Sequence, residues 1–576
     1  MHIGTFPFSK DGKELLSISE AKAKDWPVVY LIHDDKRMYI GETQNAVSRF
    51  EQHLANRLRD GLKEIEIIFD DEYNKSAILD VEQHLIQLCK ADRTMKLQNI
   101  QPGQSVKHDY YQREKYLNKI DDIWQELKKK HLVRMDIDDI RNSNLFKYSP
   151  YTTLTFEQSD VCKEIIDDAT EKLGKDKEGT AVINGGAGTG KTLVLINILY
   201  RFVSAMKIKV TPSEDDEDLT DYNDLLMKIQ GAYRHSEGKP FKIAYICPMT
   251  SLRKTMKTVF NLTGNGLKGS MVMGPYDLFD GGEKYDLVLV DEAHRLAQRK
   301  NITSFGAFDG HAKQIGMDPE EATQLDMIIA RSKYRVLVYD KAQTVKGSDI
   351  TDEQFEKAIS KQPILRCDLK TQMRCKGGEE FTSYLDGIFA CKQEKRLDFD
   401  PAEYDFKLFD DVDKMVNAIK ANDKIHGLCR CAAGYAWEWV SKDYKSKGYD
   451  YIVSHSHQDI HIDGHSYVWN MTNEEFILSE NAVNEIGCIH TLQGYDLNYV
   501  GLIFGPEIDY DPKKNEIVID KSRFYDKKVK AGVDEATLKR YIINSYKVMM
   551  TRGIKGCYVY ACKPRLREYL GRYIGR

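Results

Sequence analysis

The chain has no long apolar run. Nowhere in its 576 residues is there a stretch of ~18 consecutive apolar side chains to cross a bilayer as a helix, so no membrane partner is expected. The opening residues, Met1 to Leu16, hold no apolar segment of the kind that directs secretion. Positive charge is also short: 84 Lys and Arg stand against 89 Asp and Glu, a net charge of −5. That excludes a histone-like polycation, and any contact with nucleic acid must come from local basic faces. The eleven cysteines are scattered. Cys429-Arg430-Cys431 is the tightest pair, and no CxxC…CxxC set is present to build a zinc ribbon. Reduced thiols in a cytoplasmic protein are the expectation. What is plentiful is apolar material, 41% of residues beside 30% charged. That balance supports several cores, and the length suggests three or four units.

The strongest local signal is Gly185-Gly186-Ala187-Gly188-Thr189-Gly190-Lys191-Thr192, which fits the phosphate-loop spacing. A strand-like run, Thr180 to Ile183, precedes it and an apolar helical run, Leu193 to Leu199, comes after. Glycines let successive backbone N–H groups turn toward a polyphosphate, and the helix N-terminus adds partial positive charge. Lys191 would reach the outer phosphates of ATP, and the Thr192 hydroxyl would hold Mg²⁺. Downstream, the apolar strand Tyr285 to Val290 ends in Asp291-Glu292, as a buried parallel strand ending in catalytic carboxylates should. Asp291 would bind Mg²⁺ and Glu292 would polarise the attacking water. Gln158, ahead of a helix, is placed to read the adenine edge. Gln343, just after the strand Arg335 to Tyr339, is placed to sense the γ-phosphate. Pro248 to Arg253 opens a helix whose N-terminus would meet the phosphates of a nucleic-acid strand.

Further on, the strand Ile364 to Leu369 runs into Thr371-Gln372-Met373-Arg374-Cys375. Ile489 to Asp496 precedes the strand Tyr499 to Phe504, and Tyr546 to Gly553 precedes Gly556 to Ala561. The order Gln158, Lys191-Thr192, Asp291-Glu292, Gln343, Arg374, Gln493-Gly494 and Arg552 resembles superfamily 1 helicases, and the variants Asp-Glu-Ala-His and Gln-Met-Arg-Cys are similar to Schlafen-type helicase domains. The resemblance spans about residues 150–570. It implies two RecA-like lobes with ATP between them, Arg374 and Arg552 as fingers on the γ-phosphate, and Asp496 on the ribose.

The first 110 residues read differently. Val28 to Ile32 and Met38 to Gly41 form a strand–turn–strand hairpin. A helix from about Gln44 to Leu58 carries Arg49 and His53 on one face. Glu64 to Phe69 is a third strand, Ser76 to Lys90 a helix with Glu82, and Asn99 precedes Pro102-Gly103. Phosphodiester hydrolysis needs a base, a cation on the phosphate and a metal on the leaving oxygen. Tyr39 or Tyr30 would be the base, Arg49 the clamp, Glu82 the ligand for Mg²⁺ or Mn²⁺, and His53 a proton relay. This order resembles the GIY-YIG nuclease family, with Tyr30, Tyr39-Ile40-Gly41, Arg49, His53, Glu82 and Asn99 at its motif positions. Val28 stands where that family has glycine, which bears on whether the site cuts.

The expected architecture is therefore α/β: a small α+β nuclease-like domain over residues 1–110, a helical connector over 111–150, and RecA-like parallel-sheet lobes over 151–345 and 346–576. Lys107 to Leu145 reads as a solvated helical bridge, and the acidic run Ser213 to Asp218 as a solvated loop. The alternating His455, His457, His461 and His465 read as a polar loop or edge strand rather than a metal site. Trp437, Trp439, Tyr495 and Tyr499 read mainly as core, with base stacking the alternative. The expected function is an ATP-dependent translocase joined to a metal-dependent nuclease acting on nucleic acid, with DNA favoured and RNA an alternative. The setting suggested by that pairing is bacterial anti-phage defence, or repair. A competing reading is an ATP-gated nucleic-acid clamp whose nuclease domain is silent.

Overall fold

The computed structural model describes residues 1–575 apart from 100–109, 153, 187, 208–219, 236–239, 303, 345, 362, 372–377, 402, 473–475 and 493–494. Ala187, Arg374, Gln493, Gly494 and the acidic run 213–218 thus lie outside the described residues. The chain divides into two compact units, one of residues 1–162, 196–230 and 259–268, the other of 163–195, 231–258 and 269–576.

The first unit starts with a strand β1 (His2–Pro7) and a helix α1 (Lys10–Ser19), both short and polar enough to pass for a lead segment in the sequence. The hairpin of β2 (Val28–His33) and β3 (Arg37–Thr43) comes next, then α2 (Ala46–Leu54), β4 (Glu64–Phe69), α3 (Lys75–Asp92) and β5 (Lys96–Leu97). The sheet order is β1-β4-β2-β3-β5. Helix α2 is shorter than its sequence suggests: the Asn45 side chain caps its start, accepting from Ser48 N, and at the other end Asn56 leaves helical backbone and accepts from Leu58 N with its own side chain. Period-two alternation sorts β2 between two cores. Val28, Tyr30 and Ile32 pack with Phe50 and Ala46 of α2, whereas Val29 and Leu31 pack with Val81 and Leu85 of α3.

The segment expected as a solvated bridge is instead part of this second core. Helix α4 (Arg113–Lys129) buries Tyr116, Ile120, Ile123, Trp124 and Leu127, an i, i+4, i+7, i+8, i+11 stripe that needs a partner face. Its lysine run is neutralised locally, Lys129 by Glu126 and Lys130 by Glu66. Two short helices, α5 (Ile137–Asn142) and α6 (Asn144–Lys147), complete the segment.

Beyond the long helix α7 (Phe156–Gly174) the chain builds two parallel sheets. The first takes β6 (Gly179–Gly185), β7 (Ile243–Ile246), β8 (Val272–Met273), β9 (Tyr285–Val290), β10 (Ser332–Tyr339) and β11 (Ile364–Leu369), interleaved with α8 (Lys191–Ala205), α9 (Thr220–His235), α10 (Thr250–Thr263), α11 (Phe305–Gln314), α12 (Gln324–Ala330) and α13 (Asp352–Ile359). Its order, β11-β6-β10-β9-β7-β8, is wholly parallel. The expected lobe boundary at 345/346 is therefore too early. Strand β11 pairs with β6, Ile364 opposite Thr180, and closes the edge of the first sheet.

The second sheet, β12-β20-β17-β13-β16, is also parallel. Its elements in chain order are α14 (Gly378–Phe389), β12 (Asp405–Leu408), α15 (Val412–His426), β13 (Cys429–Ala433), α16 (Tyr449–Ser454), the hairpin β14 (Ile460–Ile462) and β15 (His465–Tyr467), β16 (Ile486–Gly487), α17 (Ile489–Leu492), β17 (Leu497–Phe504), the hairpin β18 (Ile508–Asp511) and β19 (Glu516–Ile519), α18 (Lys527–Lys530), α19 (Glu535–Met550), β20 (Gly553–Ala561) and α20 (Pro564–Leu570). Tyr495 and Tyr499 are buried in its cores. His455 stacks on Tyr451 at 3.9 Å and His457 on Tyr444 at 3.8 Å, so these imidazoles cover aromatic faces. Ten cysteines among the described residues are free thiols, and no described helix is long and apolar enough to cross a membrane.

Candidate active sites

The first sheet of the second unit brings its loops together at the carboxyl ends of β6, β9 and β10, the edge where parallel α/β sheets bind ligands. The phosphate loop begins where β6 ends. Gly188 and Gly190 take φ of +86° and +80°, a region that glycine enters without strain. A Cβ on Gly185 would lie 2.6 Å from Thr189 Oγ1 and 2.9 Å from Leu369 O, so this position also requires glycine, whereas a Cβ on Gly186 would meet no atom of the described residues within 4 Å. The buried Lys191 ammonium donates to Gly185 O and Gly186 O at 2.6 Å each and lies 3.6 Å from an Asp340 carboxylate oxygen.

At the end of β9 the Asp291 carboxylate accepts from the Thr192 hydroxyl, 3.1 and 3.0 Å from its two oxygens, and from Tyr245 Oη at 2.8 Å. A hydroxyl and a carboxylate so placed, beside an ammonium and a glycine-rich turn, fit a Mg²⁺–polyphosphate. Burial, then the neighbouring Glu292 charge, push the Asp291 carboxyl above its ordinary range against the bonds from Tyr245 and Thr192. Glu292 goes the other way. Burial opposes its charge, but His294, 2.9 Å away, together with Lys191 and Arg552 outweighs it and holds the carboxylate ionised. Its backbone sits at φ +52°, ψ +48°, a left-handed conformation whose cost of ~1–3 kcal/mol is typical of side chains held for chemistry.

From the second sheet, Arg552 stands one residue ahead of β20 and is fully buried. It donates to Gln343 Oε1 at 3.3 Å and to Val548 O at 3.2 Å. Gln343 Nε2 in turn donates to Asp340 at 2.6 Å. The structure thus gathers Gly185, Gly186, Gly188, Thr189, Gly190, Lys191, Thr192, Asp291, Glu292, Gln343 and Arg552 in one unit. Gln158 belongs to the other unit, where it pairs reciprocally with Thr155 across the start of α7: Thr155 N donates to Gln158 Oε1 at 3.0 Å and Gln158 N to Thr155 Oγ1 at 3.2 Å. Asp496 is half-buried directly before β17. Tyr245 escapes a sequence reading, because a bond made between neighbouring strands leaves no mark in local spacing, and the 2.9 Å approach of His294 to Glu292 depends on the left-handed turn at Glu292.

Beside this site is a cavity of about 360 Å³ lined by Pro248, Arg253, Arg295, Lys346 and Lys528 among others. Arg295 is paired with Asp349 at 2.8 Å. The Arg295 charge, then burial, lower the Lys346 ammonium to about 8. Four cationic side chains around one cavity suit a chain of phosphates.

In the first unit, Tyr30 of β2 lies opposite Gly41 of β3, and a Cβ at Gly41 would run into the Tyr30 hydroxyl and ring. That hydroxyl is 2.7 Å from His53 Nε2 and accepts from Arg49 Nε at 3.3 Å. Burial, then the Arg49 and Arg59 charges, depress His53 to about 3. Burial, then Tyr39, raise Tyr30 well above the ordinary phenol range. A neutral imidazole therefore faces a protonated phenol, with Tyr30 donating to His53 and accepting from Arg49. The Tyr39 ring is 5.1 Å from His53 and carries the Arg59 guanidinium 3.6 Å above it. The sequence offers no signal for Arg59. Burial, then the charge of the buried Glu82, raise the Tyr39 hydroxyl, so Glu82 is electrostatically coupled to the cluster. One buried carboxylate beside an arginine and phenols fits a hard cation that keeps most of its waters. Asn99 does something else: it donates to Ile40 O at 2.8 Å and accepts from Ile40 N at 3.0 Å, bracing β3 from the side. Val28 occupies ordinary strand backbone opposite Thr43 and is fully buried.

A phosphate loop and a carboxylate pair at the carboxyl edge of one parallel sheet, met by an arginine from a second parallel sheet, define a helicase-like P-loop ATPase. The chain belongs to the Schlafen group 3, DNA/RNA helicase domain family, whose model matches residues 178–563. It is 28% identical over 461 residues to the uncharacterized protein YPL245W of Saccharomyces cerevisiae, covering 73% of this chain and 91% of that one. Among solved structures, the Pif1 helicase of Candida albicans aligns over 73% of this chain and 99% of its own at 11% identity and a TM-score of 0.26. A DNA replication initiation factor aligns over 42% and 53% at 14% identity and a TM-score of 0.18. Superpositions this loose say nothing about activity.

Proposed function

We propose that the chain is an ATP-driven translocase on nucleic acid that carries its own metal-dependent phosphodiesterase, with DNA the favoured strand and RNA the alternative. The observation that carries the motor half is the pairing of Thr192 with Asp291 beside an ionised Glu292. Thr192 and Asp291 would hold Mg²⁺, which would supply positive charge to the ATP phosphates; Lys191 would neutralise those phosphates, and Glu292 would orient the attacking water. Arg552, and Arg374 with it, would stabilise charge developing on the γ-phosphate. Gln158 would read adenine and Asp496 the ribose. The cavity at Arg253, Arg295, Lys346 and Lys528 supports a track for the strand.

The nuclease half rests on the Tyr30–His53–Arg49 cluster with Tyr39 and Glu82. Mg²⁺ or Mn²⁺ held by Glu82 would supply Lewis acidity at the leaving oxygen. Arg49 would clamp the phosphate, and neutral His53 would take a proton through Tyr30. Val28 in regular strand geometry leaves the hairpin intact, which favours a cutting site over a silent one. The pairing of motor and cutter also supports a setting in defence against invading nucleic acid.

One assay tests both halves: plasmid, linear DNA and RNA, with Mg²⁺ or Mn²⁺, with and without ATP. Lys191→Ala should abolish ATP turnover while single-strand binding persists, and wild-type turnover in that variant would sink the motor. Glu82→Ala should abolish cutting and leave turnover intact. Absence of cutting by the parent under every condition would make the first unit a clamp.

A further inference from the structure

On the face of the first sheet opposite Tyr30, three potential ligands converge. His33 ends β2 and lies directly across from Glu64 of β4, and Glu66 stands two residues along the same strand, opposite Leu31. With a side-chain period of two, all three share the face of Val29 and Leu31. His33 Nε2 is buried, has no hydrogen-bond partner among the described residues, and lies 3.7 Å from Glu66 Oε1 and 3.9 Å from Glu64 Oε2. The side chains of His33 and Glu66 are 7% and 4% exposed, that of Glu64 54%. The oxygens of Glu66 divide their work: Oε2 accepts from Thr5 Oγ1 at 2.8 Å and faces the Lys130 ammonium at 3.1 Å, leaving Oε1 turned toward His33.

A buried imidazole nitrogen normally spends its lone pair or its proton on a partner. This one is aimed at two carboxylate oxygens at a spacing too long for a hydrogen bond. The spacing suits an ion between them, since ligands ~2.0–2.2 Å from a tetrahedral Zn²⁺ stand roughly 3.4 Å apart, and the three candidate atoms here lie within 4.8 Å of one another. The geometry points to a second metal site at His33, Glu64 and Glu66, separate from Glu82 and not part of the proposed nuclease chemistry. It takes a borderline divalent cation of the Zn²⁺ class. An imidazole in the set selects against Mg²⁺ and Ca²⁺, which prefer all-oxygen cages. The exposed Glu64 gives an entry path and leaves the remaining position to water. The ion on Oε1 of Glu66 ties the end of β2 to β4 and is repelled by the Lys130 ammonium on Oε2 of the same carboxylate.

The test is calorimetric titration of the full chain with Zn²⁺ alone, repeated with Co²⁺ while its visible absorption is recorded. The parent should bind one equivalent that survives Glu82→Ala. His33→Ala should weaken that equivalent by more than the ~10–100-fold typical of losing an outer-shell partner and remove the nitrogen-ligand component of the Co²⁺ spectrum. Glu64→Gln, at an exposed position that leaves folding untouched, should weaken it by more than tenfold, and Lys130→Gln should tighten it. Parent-like binding in Glu64→Gln or His33→Ala, or loss of the equivalent in Glu82→Ala, overturns the site.

Discussion

The Arg552 guanidinium donates to the Gln343 side-chain oxygen at 3.3 Å, and Gln343 donates onward to Asp340 at 2.6 Å. Asp340 is also 3.6 Å from the Lys191 ammonium. The four residues link the end of one parallel sheet to the phosphate loop of the other. If ATP binds the phosphate loop as proposed, an arginine held there would add positive charge at its outer phosphates without crossing solvent to reach them. Arg552→Ala should therefore lower kcat for ATP by about 10³–10⁵-fold while nucleotide affinity changes little. Arg552→Lys should recover only part, because a point charge does not replace a planar fork. Steady-state ATPase assays with a separate binding titration decide it, and a kcat within tenfold of the parent in Arg552→Ala would contradict the role.

Two glycines make opposite predictions from one substitution. Gly41→Ala would drive a methyl into the buried Tyr30 ring, which has no room to retreat. It should cost ~1–3 kcal/mol in the first unit, as overpacking does, and break the Tyr30–His53 bond. Gly231 lies inside α9 with no atom of the described residues within 4 Å of the added carbon, so Gly231→Ala should stabilise by ~0.5–1 kcal/mol through backbone entropy. Denaturant midpoints of the two variants should move in opposite directions.

What the sequence discloses depends on how local the chemistry is. The phosphate loop and Asp291-Glu292 are legible because their jobs need contiguous residues at the end of an apolar strand. The hairpin of β2 and β3 is legible from its alternation, and the pairing of Tyr30 with Gly41 explains why glycine is required there. Tyr245 and Arg59 are invisible, since each reaches its partner from another element. The burial of α4 is misread because charge dominates its composition while its apolar stripe is only five residues wide. Strand β11 is assigned to the wrong lobe because the chain passes from one sheet to the other only after it. Pairing partners, unlike strands, are not written in local pattern.

His53 should make the first unit acid-sensitive. Its imidazole falls from an ordinary 6.5 to about 3 in the fold through burial, then through Arg49 and Arg59. A depressed pKa of this kind contributes stability that is complete above ~6.5 and drains away as the pH falls toward 3, because the unfolded chain takes up the proton first. At ~1.4 kcal/mol per unit of pH, the loss by pH 4.5 should be about 2–3 kcal/mol. His53→Gln removes the titration while keeping a polar partner for Tyr30. Urea midpoints at pH 4.5, 5.5 and 7.5 should fall more steeply for the parent than for the variant, and parallel slopes would rule the effect out.

Glu507 should do the reverse in the second sheet. Its carboxyl is buried between β17 and β18, accepts from Tyr546 Oη at 2.5 Å, and is pushed by burial from 4.5 up to about 7 despite that bond. A pKa raised on folding means the native state favours the protonated acid. Its contribution is complete below ~4.5 and is lost as the pH rises through 7. By pH 8.5 the loss should approach about 3 kcal/mol at ~1.4 kcal/mol per unit. Glu507→Gln keeps the acceptor for Tyr546 and cannot ionise, so it should match the parent at pH 5 and exceed it at pH 8.5. Tyr546 lies on α19, six residues before Arg552. Ionisation of Glu507 would therefore load the helix that leads into the arginine, and ATP turnover in Glu507→Gln should hold up to higher pH than in the parent. Identical pH profiles of stability for parent and variant would show that the carboxyl stays protonated, or stays ionised, throughout.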